Sequence, residues 1–526
     1  MGVPCQPSLM SKITQGTIAA GDRRTAGAGI EIFRLGGNAF DAAAAAVLAS
    51  FVTESPLTSA AGGGFLLAHT KDNENILFDF FCQTPRFKRA KSETDFYPVE
   101  VNFGDAQQEF HIGLGSMAVP GSIGGIFHVQ QKLGRLPFKV VAEPAIHYAR
   151  SGIEINEFQF YCLTILKEIL TASSEGRKVY APDGKLLQPG ERIFMHDFAE
   201  TLSYLASRGI SEIYTGDIAQ KLVKDCQANG GYLTLDDLRS YRVIERKPLT
   251  INYRGNRLLT NPYPSSGGLL IAFALELLSK VDLANIGFGT TLHLQTLASV
   301  MRLTNQARKD RYDQNLYQED VEQTFLDPEH VAQYTQNLTA ITNKWGSTTH
   351  ISVIDAEGNA ASVTASNGEG SGYIIPGTGI MVNNMLGEDD INPQGFHQWQ
   401  ENVRISSMMA PTIVLKDNQP EIVLGSGGSK RIRTAILQVI SNIIDYKMSV
   451  EAAVDSPRIH WESNVFNLEP GFSSSVLKNL ISSHEKVVLW NKKNMFFGGV
   501  HTVIETQAGI AGSGDPRRNG AIASIM

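Results

Sequence analysis

The sequence predicts an α+β layered fold, and three observations lead there. Helical periodicity dominates residues 22–53 and most of 125–345, whereas strand-like alternation dominates from Gly346 onward. Helices and strands thus fall in blocks instead of alternating strictly, which disfavours a doubly wound parallel sheet. The chain has 526 residues, 42% of them hydrophobic, enough for a large core. Length alone suggests two to four domains, yet no linker, internal repeat or low-complexity tract divides the chain.

Taken in order, residues 22–35 carry apolar spacing suited to a helix, with Asp22 as N-cap and Gly36-Gly37 as stop. Asn38 then caps a second, Ala-rich helix that ends near Val52. It carries Asp41 and is too short for a membrane span. Gly62-Gly63-Gly64 opens a strand, 65–70. The middle third reads as helices at 137–152, 198–209, 217–231 and 269–280, with Tyr263 to Gly268 as a turn before the last. Residues 349–366 read as two strands about the turn Asp355 to Asn359. Strand-like segments follow at 379–384, 412–417, 421–426 and 499–505, and long helices follow Lys430 and Ser474.

Several chemistries are disfavoured. A net charge of −7 offers nothing to nucleic acid or anionic lipid, and the basic run Arg86 to Lys91 reads as solvated surface. The four cysteines (Cys5, Cys82, Cys162, Cys226) form no CxxC, so reduced thiols are expected. The twelve histidines are dispersed, with no HExxH. GxSxG and GxxxxGK[ST] are both missing. The acidic triplet Glu388-Asp389-Asp390 reads as a solvated turn. No metal and no cofactor are expected. Met1 to Gln6 shows no secretory signal, so a cytoplasmic location is expected.

Thr348-Thr349-His350 at the head of a strand means little alone, since Thr is common in strands. Its company carries the argument. TTHISVIDAEGNAASVTAS (348–366) is followed by Gly379 to Asn384, Ser406 to Thr412 and Gly425 to Ser429. Upstream stand GIEIFRLGGNAFDAAAAAV, AAGGGF, PGSIGG and NPYPSSGG, and Gly514-Asp515-Pro516-Arg517 lies near the C-terminus. In this order the segments closely resemble the landmarks of the γ-glutamyltranspeptidase family, and the resemblance spans nearly the whole chain.

The resemblance implies a four-layer αββα sandwich of the N-terminal nucleophile hydrolase type, made as one precursor. It implies self-cleavage between Ser347 and Thr348, leaving chains 1–347 and 348–526 folded together as a heterodimer, with higher oligomers left open. The freed amine of Thr348, with a reference pKa near 8, would act as base for its own hydroxyl. Gly427 and Gly428 would supply backbone N–H groups to the oxyanion, and Ser366 would hydrogen-bond the nucleophile. Asn367, Glu388, Ser406 and Ser407 would hold the donor.

The pattern breaks at Phe81, which stands where γ-glutamyl users carry an arginine for the donor's α-carboxylate. It breaks again at Met385 and at Gly387-Glu388. Arg86 or Arg89 would have to compensate. The segment Ile391 to Arg404 is short for a covering lid. Three readings follow. The first is an enzyme cleaving γ-glutamyl amides such as glutathione, with transfer to water or an amine. The second is an acylase of the same fold acting on a non-glutamyl amide. The third is an uncleaved binding scaffold. All take a small-molecule partner, with no nucleic acid or membrane.

Overall fold

The computed structural model describes residues 13–102, 107–334, 348–462, 464–483 and 486–526. Two antiparallel sheets form its centre. The first runs, in spatial order, Ala521–Ile525, Gly16–Ala20, Thr349–Asp355, Ala360–Ser366, Gly63–His69, Asn75–Asp79 and Ile244–Arg246. The second runs Gly509–Ser513, Gly499–Thr506, Gln419–Gly427, Thr412–Lys416, Asn256–Thr260 and Leu249–Tyr253. They pack face to face, the strand Thr349–Asp355 lying over Gln419–Gly427 and Gly499–Thr506.

Helices close both outer faces. Arg23–Arg34 and Ala39–Thr53 cover the first sheet, backed by Phe138–Ser151. Ser266–Ser279 and Arg431–Ile444 cover the second, with Thr291–Ala307 outside. The order is αββα. Capping fixes the first two helices as the sequence suggests. The Asp22 carboxylate accepts from the Arg24 N–H at 2.8 Å, and Asn38 and Asp41 form a reciprocal capping box. Every residue of Ala39–Thr53 is buried. This explains why its composition is apolar all round instead of amphipathic.

Strand alternation sorts the side chains of Thr349–Asp355. Ile351 and Val353 face the helical layer, while His350 and Ser352 enter the space between the sheets. There the His350 ring lies 2.8 Å from the Thr364 hydroxyl and 2.9 Å from the Ser352 hydroxyl, which itself donates to the His501 carbonyl. Burial pushes both histidines well down, so they sit as neutral imidazoles. His350 is thus a linker between sheets.

The middle third is less helical than its periodicity suggests, because it contributes Leu249–Tyr253 and Asn256–Thr260 to the second sheet. Of 379–384, only Ile380–Met381 is a strand, in a separate two-stranded ribbon. Cys82, Cys162 and Cys226 are free and buried.

Candidate active site

Thr348 heads the strand Thr349–Asp355 and is 4% exposed. Ser347 and the cleavage point lie outside the described residues. Thr349 pairs with Ala365 across the hairpin, and the same register sets Thr348 opposite Ser366. The Ser366 hydroxyl accepts from the Gly368 N–H at 2.9 Å. Both residues line a small pocket with Phe81, Met385, Glu388, Ser407 and Ser429.

The glycines at the end of Gln419–Gly427 reach Thr348 from the second sheet. A Cβ at Gly427 would lie 2.0 Å from the Thr348 carbonyl oxygen, and Gly428 has φ +117°. Only glycine permits that approach and that turn. The Arg518 guanidinium completes the arrangement, its Nη1 donating to the same Thr348 carbonyl at 2.9 Å.

On the other side the loop after Ser366 turns through Gly368 (φ +62°), where a Cβ would fall 2.2 Å from Asn384 Oδ1 and 2.5 Å from Glu388 Oε1. Those two oxygens accept from the Glu369 N–H at 2.9 and 3.1 Å. Burial, then the charges of Glu369 and Asp390, push the Glu388 carboxyl well above the usual range. That environment favours its neutral form.

The acidic triplet is not a solvated turn, because Glu388 and Asp390 are buried. Asp390 accepts from Ser429 and pairs with Lys430 at 3.1 Å, which offsets part of its desolvation.

The remaining candidates divide. Ser407 lines the pocket and fixes its own loop, its hydroxyl accepting from the Met409 N–H at 3.1 Å. Ser406 and Asn367 are buried but do not line it. Ser406 lies near Tyr312, whose hydroxyl donates to the Pro264 carbonyl at 3.4 Å, and the Asn367 N–H donates to the Leu57 carbonyl at 3.3 Å.

Phe81 does face the pocket, its ring stacked on Phe65 at 5.4 Å. Neither Arg86 nor Arg89 lines it, and among the described residues that do there is no Lys or Arg. The nearby Arg404 is committed behind Phe81. Its guanidinium donates to the Phe81 carbonyl, to the Tyr241 hydroxyl at 2.7 Å and to the Arg242 carbonyl at 2.7 Å. Of the short segment Ile391 to Arg404, Ile391 forms part of the pocket wall and residues 392–404 do not line it. Met408, Met409 and Ile432 also line the pocket. Their sequence signal, apolar side chains beside Ser407 and Arg431, was indistinguishable from core.

The sequence matches the Gamma-glutamyltranspeptidase family over residues 25–525. It is 31% identical to the glutathione hydrolase proenzyme of Escherichia coli (strain K12), over 96% of this chain and 90% of that protein. It is 30% identical to the acylase ACY 1 proenzyme of Pseudomonas sp. (strain SE83), over 90% of this chain and 88% of that one. Among solved structures, a cephalosporin acylase from Bacillus halodurans superposes with a TM-score of 0.85 at 25% identity, covering 99% of both chains. The Helicobacter pylori γ-glutamyltranspeptidase superposes at 0.55 and 25% identity, over 65% of this chain and 95% of that one. The chain therefore belongs to the γ-glutamyltranspeptidase family, as an amide hydrolase or acyltransferase of the N-terminal nucleophile fold.

Proposed function

We propose that the protein cuts itself between Ser347 and Thr348 and then hydrolyses amides whose acyl group carries no α-carboxylate. In maturation the Thr348 hydroxyl adds to the Ser347 carbonyl, the peptide C–N bond breaks, and water hydrolyses the ester. The freed amine then takes the hydroxyl proton while Oγ attacks the substrate carbonyl. The proton passes to the leaving amine, and water or another amine resolves the acyl-enzyme. Gly427 and Gly428 are assigned to the oxyanion, Ser366 to the nucleophile, and Ser407 and Glu388 to the acyl group.

One observation carries the substrate choice: Phe81 and Met385 line the acyl pocket, and among the described residues no Lys or Arg lines it with them. Burying an unpaired carboxylate there costs several kcal/mol. The acylase names among the relatives point the same way. The second reading, a γ-glutamyl donor, is favoured by Ser407 and Glu388 in the pocket wall and by the glutathione hydrolase relatives. It requires the α-carboxylate to find hydroxyls alone.

Kinetics on γ-glutamyl-p-nitroanilide and 4-aminobutanoyl-p-nitroanilide, which differ only by that carboxylate, separate the two. The expected kcat/KM values lie within about tenfold of each other. Phe81→Arg is expected to improve the γ-glutamyl substrate alone, by about 2 kcal/mol or more. A wild-type preference for γ-glutamyl above about 100-fold, near 3 kcal/mol, would establish the second reading.

A further inference from the structure

We propose that Arg518 is a positioning residue for the nucleophile: its guanidinium fixes the Thr348 carbonyl and, as a buried cation beside the α-amino group, holds that amine in its neutral, proton-accepting form. The inference rests on Thr348 being the nucleophile.

Three observations place the group. Arg518 Nη1 donates to the Thr348 carbonyl at 2.9 Å. Cβ atoms built on Gly427 and Gly428 would lie 3.1 and 3.2 Å from Nη1 and Nη2, so the guanidinium plane fills the corner between nucleophile and glycine turn. Its stem runs over Gly499, where a Cβ would meet Arg518 Cδ at 2.3 Å. The side chain is therefore held along its length, and Arg518 is 2% exposed. Its neighbour Arg517 is committed elsewhere, to Asp515 and Glu469.

The carbonyl bonded by Arg518 and the amine of Thr348 belong to one residue. Backbone bond lengths put the amine within about 7 Å of Nη1. A cation at that range in a buried site disfavours protonating the amine, which must be neutral to accept the hydroxyl proton.

The surrounding charges are opposed. Glu369, Asp515 and Glu54 act on Arg518, and Arg518 in turn acts on His501; the buried Cys162 thiol nearby stays neutral. Glu54 reaches the site from the end of the helix Ala39–Thr53. It accepts from the Thr349 hydroxyl at 2.5 Å and from Thr25 at 2.9 Å, with Asp22 nearby. Burial pushes its carboxyl up to about 7, so its anion appears in the range where the amine must deprotonate. Arg518 and Glu54 bracket residues 348 and 349 with opposite signs, and their neutralisation must move the amine in opposite directions.

The test is the acid limb of kcat/KM against pH, which reports the base of the free enzyme, on self-cleaved protein. Arg518→Gln is expected to shift that limb upward by about one unit, with a fall in kcat. Arg518→Lys, which keeps the charge, is expected to retain the wild-type limb. Glu54→Gln, which preserves the shape and an acceptor for Thr349, is expected to shift it downward. A limb unmoved in Arg518→Gln, or moved in the same direction by both neutralising variants, overturns the proposal. Should Arg518→Gln fail to fold, the Lys and Glu54 variants decide, since an unmoved limb in Glu54→Gln overturns it equally. Intact-mass mapping of a trapped acyl group separates the two layers. No adduct on Thr348 in the wild type overturns the nucleophile itself. A mapped adduct with an unmoved limb overturns only the role of Arg518.

Discussion

At Gly427 an added methyl group would lie 2.0 Å from the carbonyl oxygen of Thr348, which is backbone and itself held by Arg518. The obstacle cannot rotate away as a flexible side chain would, so the strand end and Thr348 must separate. Because Gly427 also pairs with Gly499 inside the second sheet, the shift falls on the strand's last residue and not on its whole length. Gly427→Ala should therefore fold and still lose turnover. The expected fall in kcat is about 100-fold or more, the scale of losing one oxyanion donor, with little change in KM. Unchanged kcat in a folded, self-cleaved variant would show that this glycine merely ends a strand. The candidates Thr348, Ser366 and the two glycines stand out in the sequence because family landmarks surround them, and the structure brings them together. Arg518 was not. Its sequence neighbour Arg517 belongs to a landmark, whereas the contact of Arg518 with Thr348 spans 170 positions and has no local signature.

The elements that were legible are those whose ends carry a chemical signal. The helix Ala39–Thr53 begins where Asn38 Oδ1 accepts from the N–H groups of Phe40 and Asp41, both at 3.0 Å, and Asn38 Nδ2 donates to the Leu133 carbonyl at 2.7 Å. Asn38→Ala removes both sets of bonds next to a helix that is buried throughout. It should cost about 1–2 kcal/mol of stability, read as a lower denaturant midpoint with kcat unchanged in the folded fraction. An unchanged midpoint would mean that Asp41, which also receives Gln130 and the Arg135 N–H, holds the helix end alone. The hairpin Leu249–Tyr253 and Asn256–Thr260 was missed for the complementary reason. Its two-residue turn is Arg254-Gly255, both at positive φ (51° and 80°), and arginine in the first place is not the Asn or Asp that advertises such a turn. Arg254 is held there by tertiary partners, the Asp445 carboxylate at 3.1 Å and the carbonyls at the end of Ser266–Ser279. Local sequence does not display these.

At the scale of the molecule, cleavage before Thr348 would fall within a fold that neither product can complete. The first sheet places Gly16–Ala20 between Ala521–Ile525 and Thr349–Asp355, and pairs Ala360–Ser366 with Gly63–His69. The second sheet joins Asn256–Thr260 to Thr412–Lys416. Strands from both sides of the proposed cleavage point thus share each sheet, interleaved in the first and joined along one ladder in the second, and separating them would break ladders in both sheets and expose the core between them. The products of self-cleavage should therefore co-elute in gel filtration at high salt, because buried strand pairs are not screened as surface charges are. They should part only under denaturing conditions, into bands about two thirds and one third of the full length, the smaller beginning Thr-Thr-His-Ile-Ser. Thr348→Ala should remain one band, since no hydroxyl is left to attack Ser347. Because the shared sheets do not depend on the cut, that uncut variant should still elute as a folded particle of the same size. Cleavage of Thr348→Ala at the same bond would assign the chemistry to another group. Dissociation of the wild-type pieces by salt alone would contradict the strand pairing they share in the two sheets.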